Sequence, residues 1–278
     1  MDERSLKKTA NSIRKDIIAE THAAKSGHPG GALSAADIIS YLYFEEMNVD
    51  PKNPDDKNRD RFVLSKGHSA PALYAALAEK GFIPKEDLIT LRKTGSYLQG
   101  HPDMKHIPGV DMSSGSLGQG VSAAVGMALA GKLDGADYRV YTLLGDGEIE
   151  EGQVWEAAMF AGHRKLDNLV VIVDNNNLQI DGTLEEVCSP YPIAEKFEAF
   201  NFKTITIDGH DFKQIEDALD EARRTKGMPC AIIAKTVKGK GISFMEDQVS
   251  WHGVAPNDEQ FEAAMAELDA AAAELAEE

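Results

Sequence analysis

Short apolar runs alternate along this chain with longer segments of helical pattern. Residues 139–144 and 168–173 are apolar runs typical of buried strands, and each ends in a glycine turn or in acidic and amide residues. Residues 149–165 between them form a crossover helix if the two strands are parallel neighbours. Further strands are predicted at residues 61–64, 202–207 and 229–236. The alternation predicts an α/β fold with a doubly wound, mostly parallel sheet and helices on both of its faces.

Helical patterns outside these runs define the predicted organisation of the chain. Leu6, Ile13 and Ile17 recur at helical spacing up to about residue 25, and Ser34 is expected to cap a second helix. Further helices are predicted near residues 70–80, 121–133, 194–200 and 212–222. Residues 1–256 are expected to form one domain. Residues 257–278 are acidic and carry apolar residues at spacings of four and three, which predicts a helix docked on its own domain or on a partner.

Composition and charge narrow the classes of protein to which the chain can belong. It has 278 residues, 42% of them hydrophobic, which is enough for one large α/β core. With 29 Lys and Arg against 46 Asp and Glu, the net charge of -17 argues against nucleic acid and anionic membrane as partners. Cys188 and Cys230 lie far apart and have no metal or redox spacing. No signal peptide or membrane-spanning run is found, so a cytoplasmic protein is expected.

Polar residues follow the two central apolar runs. The carboxyl ends of parallel strands meet at one edge of a sheet, which brings Asp146 next to Asn176. Magnesium prefers oxygen ligands, and the Asp146 carboxylate, the Asn176 amide and the Leu178 carbonyl can supply part of its shell, with phosphate and water completing it. Gly147 begins the crossover helix and would offer backbone N–H groups to that phosphate. The alternative is an ordinary strand-to-helix turn and a polar loop.

Histidines occupy glycine-bounded turns at the ends of regular elements. His28 stands in the segment SGHPGG and His68 in the segment SKGH. A single loop histidine is more often a surface residue than a catalytic one, but a pair of them in such turns favours a functional role. Residues 95–120 are irregular and include GHP and GSLGQG. Their glycines, together with the helix that follows, favour an ordered binding loop.

These motifs together resemble those of a known enzyme family. GDG at residues 145–147 and NN at residues 175–176 resemble the signature of thiamine-diphosphate enzymes. SGHPGG, LSKGH, GHP and GSLGQG stand in the same order as similar segments of transketolases. The resemblance covers nearly all of the chain before Pro256. It implies a thiamine-diphosphate-binding fold that uses thiamine diphosphate and Mg²⁺ as cofactors.

The resemblance implies roles for residues that would bind the cofactor. Gly115 and Leu117 are similar to the loop beneath the aminopyrimidine ring. Ile180 is similar to the apolar wall against the thiazolium ring. His68 and His252 resemble the residues near the diphosphate and the reaction centre, and are therefore candidates for both binding and catalysis.

The resemblance also implies roles at the substrate channel and at a subunit interface. His28 and His101 resemble the histidines that bind donor hydroxyls and move protons, work that suits imidazole because its ordinary pKa lies near neutral pH. Glu151 resembles an acidic residue that couples paired sites across the family's dimer interface. The alternative for Glu151 is a first-turn glutamate favoured by the helix dipole. One departure is Ser116, where many transketolases have proline, and it touches no expected ligand.

A second polypeptide is implied by the extent of the resemblance. In the family, a glutamate from a pyrimidine-binding domain activates the cofactor, and this chain ends before such a domain could begin. The chain therefore resembles the N-terminal subunit of a transketolase divided between two polypeptides. The implied partners are a C-terminal subunit with the pyrimidine-binding and C-terminal domains, a second copy of this chain, and sugar phosphates. The implied reaction moves a two-carbon ketol unit from a ketose phosphate to an aldose phosphate.

Two other classes of function stay open at this point. The same fold serves decarboxylases, 2-oxoacid dehydrogenases and deoxyxylulose-phosphate synthase, and GHP with GSLGQG favours transketolase over the first two. The other class is a non-catalytic module that binds thiamine diphosphate. The arginines that grip the sugar phosphate would lie in the C-terminal subunit, so the donor and the acceptor are not defined by this sequence.

Overall fold

Five parallel strands form the central sheet of the protein. The structure, a computed structural model, describes residues 1–277. In chain order the strands are β1 (Arg61–Leu64), β2 (Val140–Gly145), β3 (Leu169–Asn175), β4 (Leu178–Gln179), β5 (Gly182–Thr183), β6 (Lys203–Asp208) and β7 (Cys230–Lys235). The sheet has the order β1-β2-β3-β7-β6 with every neighbouring pair parallel, whereas β4 and β5 form a separate antiparallel hairpin. The predicted parallel sheet is confirmed.

Ten α-helices surround this sheet within residues 1–277. They are α1 (Glu3–Ala24), α2 (Pro29–Ser34), α3 (Ala36–Tyr41), α4 (Ala70–Lys80), α5 (Gln119–Asp134), α6 (Gly152–His163), α7 (Leu184–Val187), α8 (Ile193–Ala199), α9 (Phe212–Arg224) and α10 (Asp258–Glu277). In this part of the chain, no helix has the length and apolar character needed to cross a membrane.

Both faces of the sheet are buried, each against its own layer of helices. Val170 and Ile172 of β3 belong to a core cluster with residues of α1, α3, α4 and α9. Val171 and Val173 point to the opposite face and belong to a cluster with residues of α5, α6 and α8. Because alternate side chains enter two apolar layers, the strand is apolar along its whole length. The two helical layers confirm the predicted doubly wound fold.

β2, α6 and β3 form the predicted unit of strand, crossover helix and strand. The register pairs Gly145 with Asp174 at the carboxyl ends of the two strands. β3 continues to Asn175, so Asp174 belongs to the strand and not to the loop that the sequence predicted. The Asp146 N–H donates to the Asp174 carbonyl at 3.2 Å. The two strand exits are therefore adjacent, as predicted, at the edge where open α/β sheets bind ligands.

The segment after His28 differs from its prediction. Helix α2 already begins at Pro29, and Ser34 is its last residue instead of the N-cap of the next helix. Ser34 is fully buried, and its hydroxyl donates to Oδ2 of Asp174 at 2.5 Å. Serine is a common N-cap because its oxygen accepts from the helix N–H groups. Here a carboxylate from a distant strand takes the hydroxyl instead, and local sequence carries no sign of that contact.

Helix α10 docks on the N-terminal helix of its own chain. Arg4 donates from Nε to the Leu275 carbonyl at 2.7 Å and from Nη2 to the Ala276 carbonyl at 2.6 Å, which satisfies the open end of α10. Asn11 donates to the Leu268 carbonyl at 2.9 Å, and the Leu268 side chain is buried. The acidic helix is therefore present, and it packs on its own chain.

Glu20 on α1 is a buried carboxyl group with unsatisfied oxygens. It has no exposed surface, and neither carboxyl oxygen has a hydrogen-bond partner among residues 1–277. Burial raises its pKa well above the ordinary value of 4.5, and the charge of Asp16 adds to the shift. The folded state therefore holds this proton more tightly than the unfolded state does. As a consequence, the free energy of unfolding decreases as the pH rises above 4.5, where the unfolded carboxyl loses its proton.

We expect Glu20→Met to raise the free energy of unfolding by roughly 1–3 kcal/mol, because it removes an unsatisfied buried group and keeps a long, helix-forming side chain. The gain should increase from about pH 5 to about pH 8, since only the wild type must keep a proton on a buried carboxyl group. Urea denaturation at both pH values measures it. Glu262→Met on the exposed side of α10 is the control, with almost no expected change. A wild type more stable than Glu20→Met at either pH would contradict the expectation.

Candidate active site

The carboxyl edge of the sheet borders a cavity of about 280 Å³. Its walls come from the turns after β1 and β2, from the β4–β5 hairpin and from four further loop segments. Ten of the twelve residues predicted for the site line it, namely His28, His68, Gly115, Leu117, Asp146, Gly147, Asn176, Leu178, Ile180 and His252. The fold thus brings together residues that lie far apart in the sequence.

The other two predicted residues, His101 and Glu151, lie outside the cavity walls. The His101 ring packs against Gly115, where a Cβ atom would lie 3.1 Å from the imidazole Cγ, and its side chain is exposed. Glu151 is the N-cap residue of α6 and is also exposed. A Cβ on Gly118 would lie 2.9 Å from the Cβ of Glu151. Both residues therefore border the loop that carries Gly115, at the edge of the site.

Asp146 is held in place at the exit of β2. Its Oδ1 accepts from the Gly147 N–H at 2.9 Å, and its Oδ2 accepts from Asn175 Nδ2 at 3.0 Å and from the Asn177 N–H at 2.5 Å. Burial raises the pKa of Asp146 to about 6, and the neighbouring Asp174 charge adds to this. In this structure the Gly147 N–H is used by the carboxylate, whereas the sequence interpretation assigned it to a phosphate.

Lys238 enters the cavity from the loop after β7. Its ammonium donates to the Leu178 carbonyl at 3.2 Å and lies 2.8 Å from Nδ1 of His252. The residue is only 1% exposed, and burial lowers its pKa to about 8, against the opposing effect of Asp146. The residues after β7, KGKG at positions 238–241, have the composition of a solvated loop. The loop instead folds onto the Gly30 backbone and carries the Lys238 side chain inward.

The oxygen atoms near this ammonium fit a divalent metal ion. The Asp146 carboxylate, the Asn176 amide and the Leu178 carbonyl are hard donors of the type that Mg²⁺ prefers. The Leu178 carbonyl already accepts from a cation, the Lys238 ammonium. Among residues 1–277, no group of three or more His, Cys, Asp and Glu side chains could hold a metal ion. A metal here would therefore depend on amide and carbonyl oxygens together with oxygens of a bound ligand.

A buried ion pair lies beside the cavity. The Lys66 ammonium donates to Oδ2 of Asp174 and, at 2.7 Å, to the Gly31 carbonyl. Asp174 also accepts from the hydroxyls of Ser34 and Thr236. Burial alone would raise the pKa of Asp174, but the Lys66 ammonium and the hydrogen bonds hold it below its ordinary value. Sequence reasoning missed this pair, because the SKGH motif shows a lysine without showing that it is buried.

Three imidazole rings meet on one side of the cavity. The ring centroids of His28, His68 and His252 lie 5.2–5.5 Å apart. Burial, with Arg92 adding to it, lowers the pKa of His28 to about 4, and burial with Lys238 lowers that of His252 to about 3. Burial also lowers the pKa of His68 well below its ordinary value. The rings are therefore uncharged at neutral pH, each with one N–H donor and one acceptor, instead of titrating near neutrality.

Glu148 connects three loops of the site. Its Oε1 accepts from Ser65 Oγ at 2.5 Å and from the Gly118 N–H at 2.9 Å, while its Oε2 accepts from the Gly145 N–H at 2.9 Å. Burial raises the pKa of Glu148, and these hydrogen bonds oppose the shift. Sequence reasoning missed this residue, because a glutamate just after a glycine turn matches the solvent-facing start of a helix.

The cavity combines three chemical environments. Oxygen donors can hold a cation, the Lys238 ammonium can balance an anion, and neutral imidazoles can bind hydroxyl groups. This combination suits a metal-bound phosphate compound whose other end faces the histidines. The fold and the site therefore define a doubly wound α/β enzyme domain for a metal-anchored, phosphate-bearing cofactor.

Comparison with known proteins then identifies the family. Residues 5–274 match the family described as transketolase, thiamine diphosphate binding domain, and the chain belongs to this family. Transketolases are transferases that use thiamine diphosphate together with Mg²⁺. The oxygen donors, ammonium groups and glycine turns of the cavity fit both groups.

Relatives of the chain include separate subunits and a longer enzyme. The chain is 48% identical over 264 residues to the 6-deoxy-6-sulfo-D-fructose transketolase subunit of Clostridium sp. (strain MSTE9), covering 95% of this chain and 96% of that protein. It is 44% identical over 255 residues to one subunit of the apulose-4-phosphate transketolase of Phocaeicola vulgatus, covering 92% and 90%. The crystal structure of transketolase from Campylobacter jejuni has a TM-score of 0.90 at 35% identity, over 99% of this chain and 46% of that chain. The chain thus spans nearly all of the two subunits and under half of the Campylobacter enzyme.

Proposed function

We propose that this chain is the N-terminal subunit of a two-chain, cytoplasmic transketolase. It would bind the diphosphate and Mg²⁺ of thiamine diphosphate for transfer of a two-carbon ketol unit from a ketose phosphate to an aldose phosphate. The observation that carries the proposal is that one cavity is lined by oxygen atoms suited to Mg²⁺, two ammonium groups and three imidazole rings. Two relatives of nearly the same length are named as transketolase subunits, which supports the division between two chains.

One end of the cavity is proposed to hold the cofactor diphosphate. The oxygens of Asp146, Asn176 and Leu178 would coordinate Mg²⁺, which also binds phosphate oxygens and water. The Lys238 ammonium lies at the Leu178 carbonyl and would balance the phosphate charge. Asn176 donates from Nδ2 to Asp174 at 3.4 Å, and its amide oxygen accepts from the Leu178 N–H at 3.1 Å, so these two bonds fix the amide beside the Leu178 backbone.

The other end of the cavity is proposed to receive the cofactor rings. Gly115 and Leu117 would lie beneath the aminopyrimidine, in a loop that Glu148 holds through the Gly118 N–H. Ile180 would contact the thiazolium ring, and its 64% exposure at the hairpin leaves an apolar surface for that contact. When bound, thiamine diphosphate supplies the carbanion chemistry, while the protein supplies position and electrostatics.

Uncharged imidazoles are proposed to handle the donor sugar. His28 and His101 would bind its hydroxyl groups and move protons, whereas His68 and His252 would lie near the diphosphate and the reaction centre. Burial, with Arg92 adding to it, lowers the pKa of both His28 and His101. Each ring can therefore accept a proton from a hydroxyl group at neutral pH, because its acceptor nitrogen is free of a proton.

We expect His28→Ala and His101→Ala to lose turnover by roughly 100-fold, the usual scale for a positioned acid–base group. Their affinity for thiamine diphosphate should stay nearly normal, because the proposed metal ligands are untouched. Steady-state kinetics and titration calorimetry on the assembled enzyme measure the two quantities. His106→Ala is the matched control, since this histidine lies in the same irregular segment and pairs with Asp103 outside the cavity. Normal turnover in both test variants would leave the two histidines with a structural role.

The outer surface of α5 and α6 is proposed to bind a second copy of the chain. These neighbouring helices expose three large apolar side chains, Leu133 at 74%, Met159 at 59% and Phe160 at 43%. Exposed apolar surface of this kind is typical of protein interfaces. Glu151 caps α6 at the end that borders the active site. Pairing there would give a two-plus-two assembly with the C-terminal subunits, in which Glu151 couples the two sites.

The proposed function is tested by activity with and without a second chain. Alone, this chain should transfer no two-carbon unit, because its cavity supplies the diphosphate end of the site and the activating glutamate would come from the partner. Mixing it with a purified C-terminal transketolase subunit should give transfer from a ketose phosphate to an aldose phosphate. Full activity of this chain by itself would refute the division.

The choice of donor distinguishes the alternative functions. The sugars in the names of the two relatives, 6-deoxy-6-sulfo-D-fructose and apulose 4-phosphate, are tested as donors beside ordinary ketose phosphates and pyruvate. Turnover of pyruvate alone would favour a 2-oxoacid or deoxyxylulose-phosphate-synthase type of enzyme. Binding of thiamine diphosphate without turnover of any donor would favour a non-catalytic module.

A further inference from the structure

The loop that carries Lys238 is anchored on both sides of this residue. The Val237 N–H donates to Nε2 of His210 at 2.9 Å. The Lys240 carbonyl accepts from Nε of Arg14 at 3.0 Å. One anchor comes from the connection between β6 and α9 and the other from α1, so two separate elements of the fold hold the loop.

The two anchors meet at one buried carboxylate. Asp37 Oδ1 accepts from Nη1 of Arg14 at 3.1 Å, while Oδ2 accepts from Nη2 of Arg14 at 2.5 Å and contacts Nδ1 of His210 at 2.7 Å. Burial would raise the pKa of Asp37, but the Arg14 charge and the His210 hydrogen bond hold it below its ordinary value. Because Nε2 of His210 accepts from Val237, the hydrogen on Nδ1 is the one donated to Asp37. We call these three residues the Arg14–Asp37–His210 cluster.

The Lys238 side chain has little freedom apart from its backbone. Its carbonyl accepts from the Asp247 N–H at 2.9 Å, and the next residue, Gly239, donates to the Gly30 carbonyl at 3.0 Å. A Cβ on Gly30 would lie 3.2 Å from Cγ of Lys238, so the side-chain stem packs directly on that backbone. The position of the ammonium therefore follows the position of the loop, and the two anchors hold that loop together with the contacts to Asp247 and Gly30.

The cluster itself does not reach the cavity. The cavity walls include Lys238, but Arg14, Asp37 and His210 are not among the residues that line them. Outer residues that orient a ligand-binding group can control affinity without touching the ligand. We propose that the Arg14–Asp37–His210 cluster positions the Lys238 ammonium for the cofactor diphosphate. This inference rests on the proposed function, because that function assigns the diphosphate to Lys238.

The test measures binding of Mg²⁺ with inorganic diphosphate to the full chain, a probe that needs only the half of the site present here. In His210→Asn the shorter amide can still donate to Asp37 but no longer reaches the Val237 N–H. We expect this variant to bind diphosphate about 10-fold more weakly by titration calorimetry, the scale of an outer-residue change. His210→Gln places an amide oxygen near the former Nε2 and should recover most of the affinity.

A neighbouring variant controls for general destabilisation. The Asp211 side chain caps the N-terminus of α9 by accepting from the Lys213 and Gln214 N–H groups, and Asp211→Ala removes this cap. It should lower the melting temperature and leave diphosphate affinity unchanged. If His210→Asn fails to fold, Arg14→Lys replaces it, because lysine keeps the charge beside Asp37 and loses the guanidinium donor to the loop.

A double-variant cycle tests whether the cluster acts through Lys238. Lys238→Met should weaken diphosphate binding, and adding His210→Asn to it should weaken binding no further. A second loss of about 10-fold in the double variant would overturn the proposal, since the anchor would then act by another route. Normal binding by His210→Asn beside weak binding by Lys238→Met would overturn it as well and leave the proposed function intact. Normal binding by Lys238→Met would refute the role of Lys238 itself, and the positioning proposal with it.

Discussion

Asp146→Ala is expected to abolish the magnesium-dependent retention of thiamine diphosphate. Asp146 is the one charged donor in the proposed metal set, since Asn176 and Leu178 contribute neutral oxygens. Changes to outer residues of metal sites typically cost 10- to 100-fold in affinity, so loss of a direct carboxylate ligand should cost more than about 100-fold. Titration calorimetry of the assembled enzyme, with and without Mg²⁺, measures the effect, and circular dichroism checks that the fold is kept.

Two further variants make this expectation specific. Asp146→Asn keeps one oxygen, removes the charge and sets an NH2 group against an N–H donor, because both carboxyl oxygens of Asp146 accept hydrogen bonds. Its loss should not exceed that of the alanine variant. Asp137→Ala removes an exposed carboxylate in the turn before β2 and should bind normally. Unchanged magnesium-dependent affinity in Asp146→Ala would refute the assignment. An equal loss in the absence of Mg²⁺ would show that Asp146 acts on the cofactor without a metal.

The positions of the proposed metal ligands could be predicted because they follow from topology. Two apolar runs joined by a helix must be parallel neighbours, and parallel neighbours present their carboxyl ends at the same edge. Asp146 and Asn176 follow those ends directly, so no knowledge of packing was needed to bring them together. The structure places them as predicted, with the Asp146 carboxylate accepting from the Asn177 N–H at 2.5 Å.

Lys238 and Glu148 could not be predicted in the same way. A lysine at the start of a glycine-rich loop and a glutamate after a glycine turn both have the composition of solvated segments. The burial of Lys238 depends on contact of its loop with the Gly30 backbone, more than a hundred residues away in the sequence. The burial of Glu148 depends on its contact with the Gly118 N–H, about thirty residues away. Such contacts leave no periodic signal in the local sequence, so the inward direction of these side chains appears only in the fold.

The charge state of the histidines also required the structure. From the sequence, imidazole groups are expected to titrate near neutral pH. In the folded protein, burial beside Lys66, Lys238 and Arg92 lowers the pKa values of the three cavity histidines, to about 4 for His28. The positions of the histidines were thus predictable from motifs, whereas their chemistry depends on neighbours from other parts of the chain.

The roles expected of His101 and Glu151 rest on the resemblance to transketolases. These roles come from matching motifs, since neither residue lies in the cavity walls. Their exposed positions at the edge of the site suit contacts with a substrate or a second chain, and the function proposed for them depends on those partners. By contrast, the two helical layers follow from apolar patterning alone, whereas the strand order β1-β2-β3-β7-β6 required the structure.

The contact between α6 and α8 permits no side chain at Gly162. A Cβ atom added there would lie 1.7 Å from the Phe200 carbonyl oxygen and 2.9 Å from its carbon. The obstacle is backbone at the end of α8, so a rotamer change cannot relieve it, and one helix must move away from the other. Because Gly162 is a buried residue of α6, and α6 packs in the core cluster on one face of the sheet, we expect the shift to disturb the core on that face.

Gly162→Ala is therefore expected to lower the free energy of unfolding by about 3 kcal/mol, at the upper end of the usual cost of overpacking. Gly126→Ala in α5 is the matched control, since a Cβ there meets nothing within 4 Å. Alanine is the better helix former by up to about 1 kcal/mol, so the control should be neutral or more stable than the wild type. Urea denaturation of the three proteins measures the difference. Equal stability of the two variants would show that the approach of Phe200 is relieved without cost, and that Gly162 is present for some other reason.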